Sequence, residues 1–417
     1  MQAQRIKETG DKVFEHYTSG SNMECYFLPL KGYQEKMAAL VVKHGSTFLQ
    51  AKTSDGKEIT FPAGMAHFIE HKLFRQRWGD AFGTFHKQGA WANAFTDAEK
   101  TVYYFSCQNR FMENLRLLLS FVQNPFFLAD EVEQEKEIIT SEMNLYRDSA
   151  DWMAYQLLLE GMYHAHPIKE PILGTEESLK GVTKETLKTA YDTMYSSEDF
   201  TLICVGDFPM NKVVQASEMM SKRKQTATIV LPTEPKEIVT PYQEKQLGIT
   251  QPVFQIGFKM MPRQEKNPKE KIVVGLLLEL LAGEGSAFYQ RARKELNLEE
   301  PLGCGYYNGK GYGFSIFGGK GADAKAVGQL LLDEIQRMRT GGILEEDFRR
   351  IQKKFIGQYL RTTQSVTALG FGQIEGAMSD TDAGEWFRIL KSVKKAELEK
   401  TLQNEWAEDT MCISVIR

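Results

Sequence analysis

The sequence predicts an α+β protein made of two homologous domains, each an antiparallel sheet flanked by helices. Three observations predict it. Segments that alternate polar and apolar residues, as strands do, stand beside segments with helical period. They come in blocks: strands, a pair of helices, paired strands, several helices, a final strand. The blocks also recur. "EDFTLICV" (198–205) and "EDTMCISV" (408–415) share Glu-Asp, Ile and Val at an offset of 210. "LADEVEQEKEIITSE" (128–142) resembles "LEEDFRRIQKKFIGQ" (344–358) in pattern at an offset of 216. A chain of 417 residues is too long for one ordinary core and about right for two domains.

Taken in order, "GMAHFIEHKLF" (64–74) is the first distinctive element. It has helical character, and His67, Glu70 and His71 fall at i, i+3 and i+4, on one face. "AWANAFT" (90–96) and "KTVYYFSC" (100–107) alternate like the strands of a hairpin. "VEQEKEIITSEMNLYRD" (132–148) is a charge-rich helix with apolar Val132, Ile138, Ile139, Met143 and Leu145. "VTKETLKTAYDTMYSS" leads as a helix into the strand "EDFTLICV". "SKRKQTATIVLPTEPKEIVTPYQEK" (221–245) mixes basic residues, Thr and Pro without period and reads as a linker. The expected division is therefore 1–220, a linker 221–245, and 246–417. In the second half "GCGYYNG" and "YGFSIFGG" repeat the hairpin pattern, and "VKKAELEKTLQNEWA" leads into "EDTMCISV".

Hydrophobic residues at 42% and charged residues at 25% describe a globular protein. A net charge of −4 provides no basic footprint, so no nucleic-acid partner is expected. No apolar stretch is expected to span a bilayer, and the N-terminus shows no apolar signal core. Cys25, Cys107, Cys204, Cys304 and Cys412 are far apart and form no C-x-x-C pair. They read as reduced residues of a cytoplasmic protein.

An apolar helix does not bury two His and a Glu unless something pairs with them. At the offset of 216 "GMAHFIEHKLF" stands beside "LAGEGSAFYQ" (281–290), which has no His; Glu142 stands opposite Gln358 and Glu135 opposite Ile351. A structural need of the fold would be expected in both halves. Two His at i, i+4 on a helix form a zinc clamp that takes its third ligand from elsewhere, and His-x-x-Glu-His is the inverted zincin order. The plainer reading is a pair of surface or core-edge histidines bridged by Glu. The third ligand should come from a neighbouring helix. On 132–148, Glu135 and Glu142 share a face two turns apart, and Glu142 follows Ile138 and Ile139 toward the inner side. Glu131, Glu133 and Glu137 read as a solvated face.

The stretches "GMAHFIEHKLF", "NAFTDAEKTVYYF" (93–105), "EQEKEIITSEM" (133–143) and "HPIKEPILGTEES" (166–178) resemble, in the same order, the pitrilysin/insulinase zinc metallopeptidases. That family includes the mitochondrial processing peptidase, and the length here is similar to its short, half-length branch. The resemblance implies a zinc endopeptidase with one Zn2+ per chain, held by His67, His71 and Glu142. It implies Glu70 as general base and Glu135 as the carboxylate that orients a ligand His. It also implies that Ala92, Asn93, Ala94 and Phe95 lie on a sheet edge that pairs with extended peptides or with precursor and leader segments, inside the chamber of a clam-shell dimer. His164 and His166 match a family loop and read as structural.

The second half departs from the family pattern, which has an Arg followed by a Tyr that stabilise the substrate carbonyl. Arg291 and Arg293 are present, but the Tyr position falls near Glu300 and Pro301, and Tyr306 and Tyr307 come later. Two arrangements follow. A homologous zinc-less subunit supplies the pair in a heterodimer, or the loop brings Tyr306 back and the chain works as a homodimer. A third reading is a non-catalytic interaction subunit, but such relatives usually lose the motif that this chain keeps.

Overall fold

The structure is a computed structural model that describes residues 4–5, 14–224, 227–262, 267–379, 381 and 383–417. Among these residues the chain divides into two compact units. The first is formed by Met1–Glu142, Glu170–Leu231 and Leu360–Glu385, the second by Met143–Lys169, Pro232–Tyr359 and Trp386–Arg417.

The first unit holds a sheet of seven strands in the order Gln4–Arg5, Glu15–Thr18, Glu24–Pro29, Phe200–Gly206, Lys36–Val42, Thr101–Cys107, Ala90–Thr96. The second holds five, in the order Tyr242–Lys245, Met411–Ile416, Val253–Lys259, Tyr312–Lys320, Gly303–Gly309. From the hairpin end inward, both sheets make three antiparallel pairings and then one parallel pairing. The duplicated pattern read in the sequence is thus a duplicated topology. The sheets are mixed rather than wholly antiparallel. The parallel pairs are Glu24–Pro29 with Phe200–Gly206 and Tyr242–Lys245 with Met411–Ile416.

The expected boundaries need correcting. The supposed linker 221–245 is partly sheet: Ala227–Ile229 pairs with Gln50–Thr53, and Tyr242–Lys245 with the C-terminal strand. The units also exchange helices. Val366–Met378 packs on the first unit's sheet, where Val366, Leu369, Ile374 and Ala377 join a core with Tyr26, Leu28, Met37 and Val41. Ala150–Met162 packs on the second unit's sheet, where Met153 and Ala154 meet Val253 and Ile416. Each sheet needs an apolar cover on its inner face, and each takes it from a helix lying outside its own half of the sequence.

The segment Pro268–Leu296 is long and apolar enough to qualify as a membrane span, which the sequence reading missed. It is two helices, Pro268–Ala282 and Ala287–Leu296. The first is shorter than the roughly 20 residues a span needs, and Ile272, Val273, Val274, Leu276, Leu277, Leu278, Leu280 and Leu281 are buried in the core of the second unit. It is a core helix, each fully buried Leu contributing about 1.5–3 kcal/mol. In element order it is the counterpart of the helix holding His67, so the pairing with 281–290 was misplaced by about one helix. The absence of His stands. All five cysteines are free, with Cys304 exposed and the others buried.

In the second unit, Glu234 anchors the segment after Ala150–Met162. Its carboxylate accepts the backbone N–H groups of His164, Ala165 and His166 at 2.8–2.9 Å and Lys259 Nζ at 2.6 Å. Burial alone would raise its pKa, but Lys259 and the three N–H groups hold it at about 2. His166 donates from Nε2 to Lys310 O and accepts the Ile168 N–H at Nδ1, and is structural, as expected. Glu234→Gln leaves Lys259 buried without its counter-charge, so a loss of about 3–5 kcal/mol is expected. Because the folded pKa is depressed, the stabilisation from Glu234 is complete above 4.5 and fades as pH falls toward 2. Urea midpoints of parent and variant should therefore differ at pH 7 and converge near pH 2. A constant difference would refute the assignment.

Candidate metal centre

The helix Met65–Leu73 is set by its entry. Gly64 has φ +90°, and a Cβ there would stand 2.4 Å from the Leu173 carbonyl oxygen. Gly174, at φ +77°, makes the reciprocal approach to Ala63 O, and Ser178 Oγ donates to Ala63 O at 2.8 Å. The stretch "PILGTEES" is therefore the clamp that fixes the start of this helix. Met65, Ala66, Phe68, Ile69 and Leu73 fill the core. His67 and Glu70, each 7% exposed, are buried on the same helix.

The second contributing helix is Ala129–Arg147. Val132, Glu135, Ile139 and Met143 form its buried stripe, and Glu142 flanks it. Ile138 and Leu145, expected on that stripe, are 53% and 73% exposed. Glu142 thus faces inward beside Ile139 and Met143, not beside Ile138.

The two helices bring His67, His71 and Glu142 together, with ligand atoms all within 4.8 Å of one another. Glu142 Oε2 lies 3.8 Å from His67 Nε2 and 3.6 Å from His71 Nε2. These separations are too long for hydrogen bonds. They are close to the edge of a tetrahedral zinc site, about 3.3–3.4 Å for bonds of about 2.0–2.1 Å. Three lone-pair atoms converge without bonding one another, and this donor set, two imidazoles and a carboxylate, fits zinc. Three donors from the chain is the number found at catalytic zinc sites, where structural sites take four.

The surroundings tune each group. Burial pushes His67 down to about 3, helped by His71, so the ring is neutral and free to coordinate. Among the described residues His67 Nδ1 is buried without a hydrogen-bond partner, so no bond at that nitrogen fixes the ring as Glu135 fixes His71. For His71, burial alone would lower the pKa; the hydrogen bond to Glu135 and the charges of Glu70, Glu135 and Glu142 outweigh it and raise it. His71 Nδ1 stands 3.0 Å from Glu135 Oε1, so Glu135 sits where a carboxylate orienting a ligand His should sit. Glu70 is raised by burial to about 7 despite a hydrogen bond from Thr96. Thr96 Oγ1 donates to Glu70 Oε2 at 2.6 Å.

Ala92, Asn93, Ala94 and Phe95 lie on Ala90–Thr96, the terminal strand of the seven-stranded sheet, paired on one side to Thr101–Cys107. The edge position expected for "ANAFT" is present, in the unit that holds the cluster. Arg291 and Arg293 are exposed on Ala287–Leu296; Tyr306 and Tyr307 lie on the terminal strand Gly303–Gly309 of the other sheet. Tyr307 stacks on Phe314 with centroids 4.8 Å apart. These four residues belong to the second unit, the cluster to the first. Sequence reasoning missed Thr96 and Lys72. Thr96 closes the "NAFT" strand and its only signal was being polar at an inward strand position. Lys72 carried none, since a lysine on a helix is ordinarily exposed.

A family model described as "Insulinase (Peptidase family M16)" matches residues 34–176, and one described as "Peptidase M16 inactive domain" matches 181–355. An uncharacterised zinc protease of Bacillus subtilis is 30% identical over 414 residues, covering 95% of each chain. A protein of Schizosaccharomyces pombe named "Probable mitochondrial-processing peptidase subunit beta" is 29% identical over 160 residues, 37% of this chain and 35% of that one. The crystal structure of an M16-like peptidase from Alicyclobacillus acidocaldarius superposes with a TM-score of 0.92 at 26% identity, covering 99% of both chains.

Proposed function

We propose, from the premise that this chain belongs to the insulinase family of peptidases, M16, that it is a zinc-dependent endopeptidase acting on extended peptides or precursor and leader segments. The convergence of His67, His71 and Glu142 beside Glu70 carries the reading. His67, His71 and Glu142 would hold one zinc ion per chain. Bound there, zinc supplies a Lewis acid that polarises the scissile carbonyl and makes water more acidic, toward a pKa of about 7. Glu70 takes the proton of the attacking water and passes it to the leaving amine. A carboxyl held at about 7 suits both halves of that transfer. Glu135 keeps His71 aimed, and Thr96 fixes one Glu70 oxygen so that the other is left for the proton. The edge Ala92–Phe95 pairs with the substrate backbone, which gives affinity with little demand on side chains. Folded proteins should be spared.

The partner is a homologous zinc-less subunit enclosing the chamber of a clam-shell dimer. The supporting observation is the departure around Glu300–Pro301, where the chain lacks a Tyr at the expected place. Donors aimed at the developing oxyanion are worth about 2.7–4 kcal/mol each, or roughly a hundredfold to a thousandfold in rate. The chain alone should therefore be slow by about that factor across a concentration series, and the partner should restore it. Full activity of the isolated chain, lowered by that factor in Tyr306→Phe or Tyr307→Phe, would show a homodimer with a displaced Tyr. The reading as a whole is tested by zinc content together with cleavage of an unstructured peptide. Zinc-loaded complex that cleaves no peptide would overturn it.

A further inference from the structure

Lys72 follows the ligand His71 directly and is only 1% exposed. Its Nζ lies 3.2 Å from Glu131 Oε2, 3.5 Å from Glu131 O and 3.7 Å from Glu135 Oε2. Glu135 thus has a partner at each oxygen: a hydrogen bond with His71 at Oε1 and, at 3.7 Å, an ion pair with this cation at Oε2. Arg75 also acts on Glu135 through its charge, and it is exposed. Burying an ammonium costs several kcal/mol before its partners compensate, and a chain gains nothing by keeping one where an apolar residue would pack. The fold itself does not ask for it. In the second unit the counterpart helix Pro268–Ala282 buries only apolar residues.

We propose that Lys72 is a positioning residue of the metal site: its buried ammonium holds the Glu135 carboxylate in the orientation that aims His71 Nε2 at the metal. The chain of contacts is short. Lys72 fixes one oxygen of Glu135, the other oxygen fixes His71 Nδ1–H, and the ring then has one direction left for Nε2. Partners of this kind, one step removed from a metal, commonly account for tenfold to hundredfold in affinity. Without the cation, Glu135 is a buried carboxylate free to turn toward Arg75 or solvent, and His71 loses its fixed plane.

This proposal rests on reading His67, His71 and Glu142 as metal ligands, and zinc affinity tests it without any assay of cleavage. The apparent zinc Kd of the full chain is measured by competition with a chromophoric chelator for the parent, Lys72→Met, Glu135→Gln and the double variant. Lys72→Met should weaken zinc roughly tenfold to hundredfold in the parent background. In the Glu135→Gln background the same change should alter affinity by no more than about twofold, the usual error of additivity. Lys72→Gln, which keeps a donor without the charge, replaces Lys72→Met if that chain does not fold. Unchanged affinity in both Lys72 variants overturns the proposal. So does an equal loss in both backgrounds, which would mean a general effect on the fold. If the parent binds zinc tightly yet cleaves no peptide even with its partner added, the peptidase reading fails while the role of Lys72 stands. A parent that takes up no zinc overturns both.

Discussion

Glu70→Gln is expected to keep its zinc and its fold and to lose nearly all peptide cleavage. Gln preserves the shape of the side chain and can still meet Thr96 Oγ1, which stands 2.6 Å from Glu70 Oε2 in the parent. It cannot carry a proton from water to the leaving amine. General acid–base transfer by a placed group is worth about a hundredfold to ten-thousandfold, and a loss within or above that range is expected in kcat with little change in KM. The substitution should not destabilise the chain. Burial raises the Glu70 carboxyl to about 7, so at pH above that value the folded state bears the cost of a buried anion. Gln removes that cost, and the unfolding midpoint of the metal-free chain at pH 8 should match or exceed that of the metal-free parent. A variant that cleaves at the parental rate would end the mechanism, and one that loses zinc would make Glu70 a ligand.

Loss of a ligand should have an effect as large by a different route. His71→Ala and Glu142→Gln each leave two of the three converging atoms, whose mutual separations are 3.6–3.8 Å about Glu142 Oε2. Zinc affinity should fall by more than the roughly tenfold to hundredfold expected for Glu135→Gln, which touches only the far nitrogen of His71. Metal analysis after gel filtration, with cleavage assayed at saturating zinc, separates the cases. Glu135→Gln should regain most activity when zinc is added, whereas His71→Ala should not. Full occupancy in Glu142→Gln would show that another group is the third ligand.

Much of the fold was legible because its signals are local. Period-two alternation marked Ala90–Thr96, Thr101–Cys107, Gly303–Gly309 and Tyr312–Lys320 within about one residue. The repeat in "EDFTLICV" and "EDTMCISV" marked the strands Phe200–Gly206 and Met411–Ile416. Errors came where a decision depends on contacts distant in sequence. Ile138 and Leu145 are apolar and were assigned inward; they are exposed because Ala129–Arg147 turns Ile139 and Met143 to the core instead. The stretch 221–245 has no period of its own, and its strands exist only through pairing with Gln50–Thr53 and Met411–Ile416.

The sequence by itself determined the histidine pair. His67 and His71 lie one helical turn apart on any helix, so their common face follows from spacing alone. It also determined the duplication, because both halves must bury the same pattern. Only the tertiary structure decided the rest. Which carboxylate faces the histidines depends on how Ala129–Arg147 is rotated against Met65–Leu73, and the buried stripe sets that rotation. Glu142 faces both Nε2 atoms, while Glu135, two turns away on the same face, meets Nδ1 of His71 instead. The exchange of Ala150–Met162 and Val366–Met378 between units was equally out of reach, since amphipathic period says that a helix covers a sheet but not which one. Burial of Lys72 was decided last of all, by two glutamates some sixty residues further along the chain that meet it only when the two helices pack.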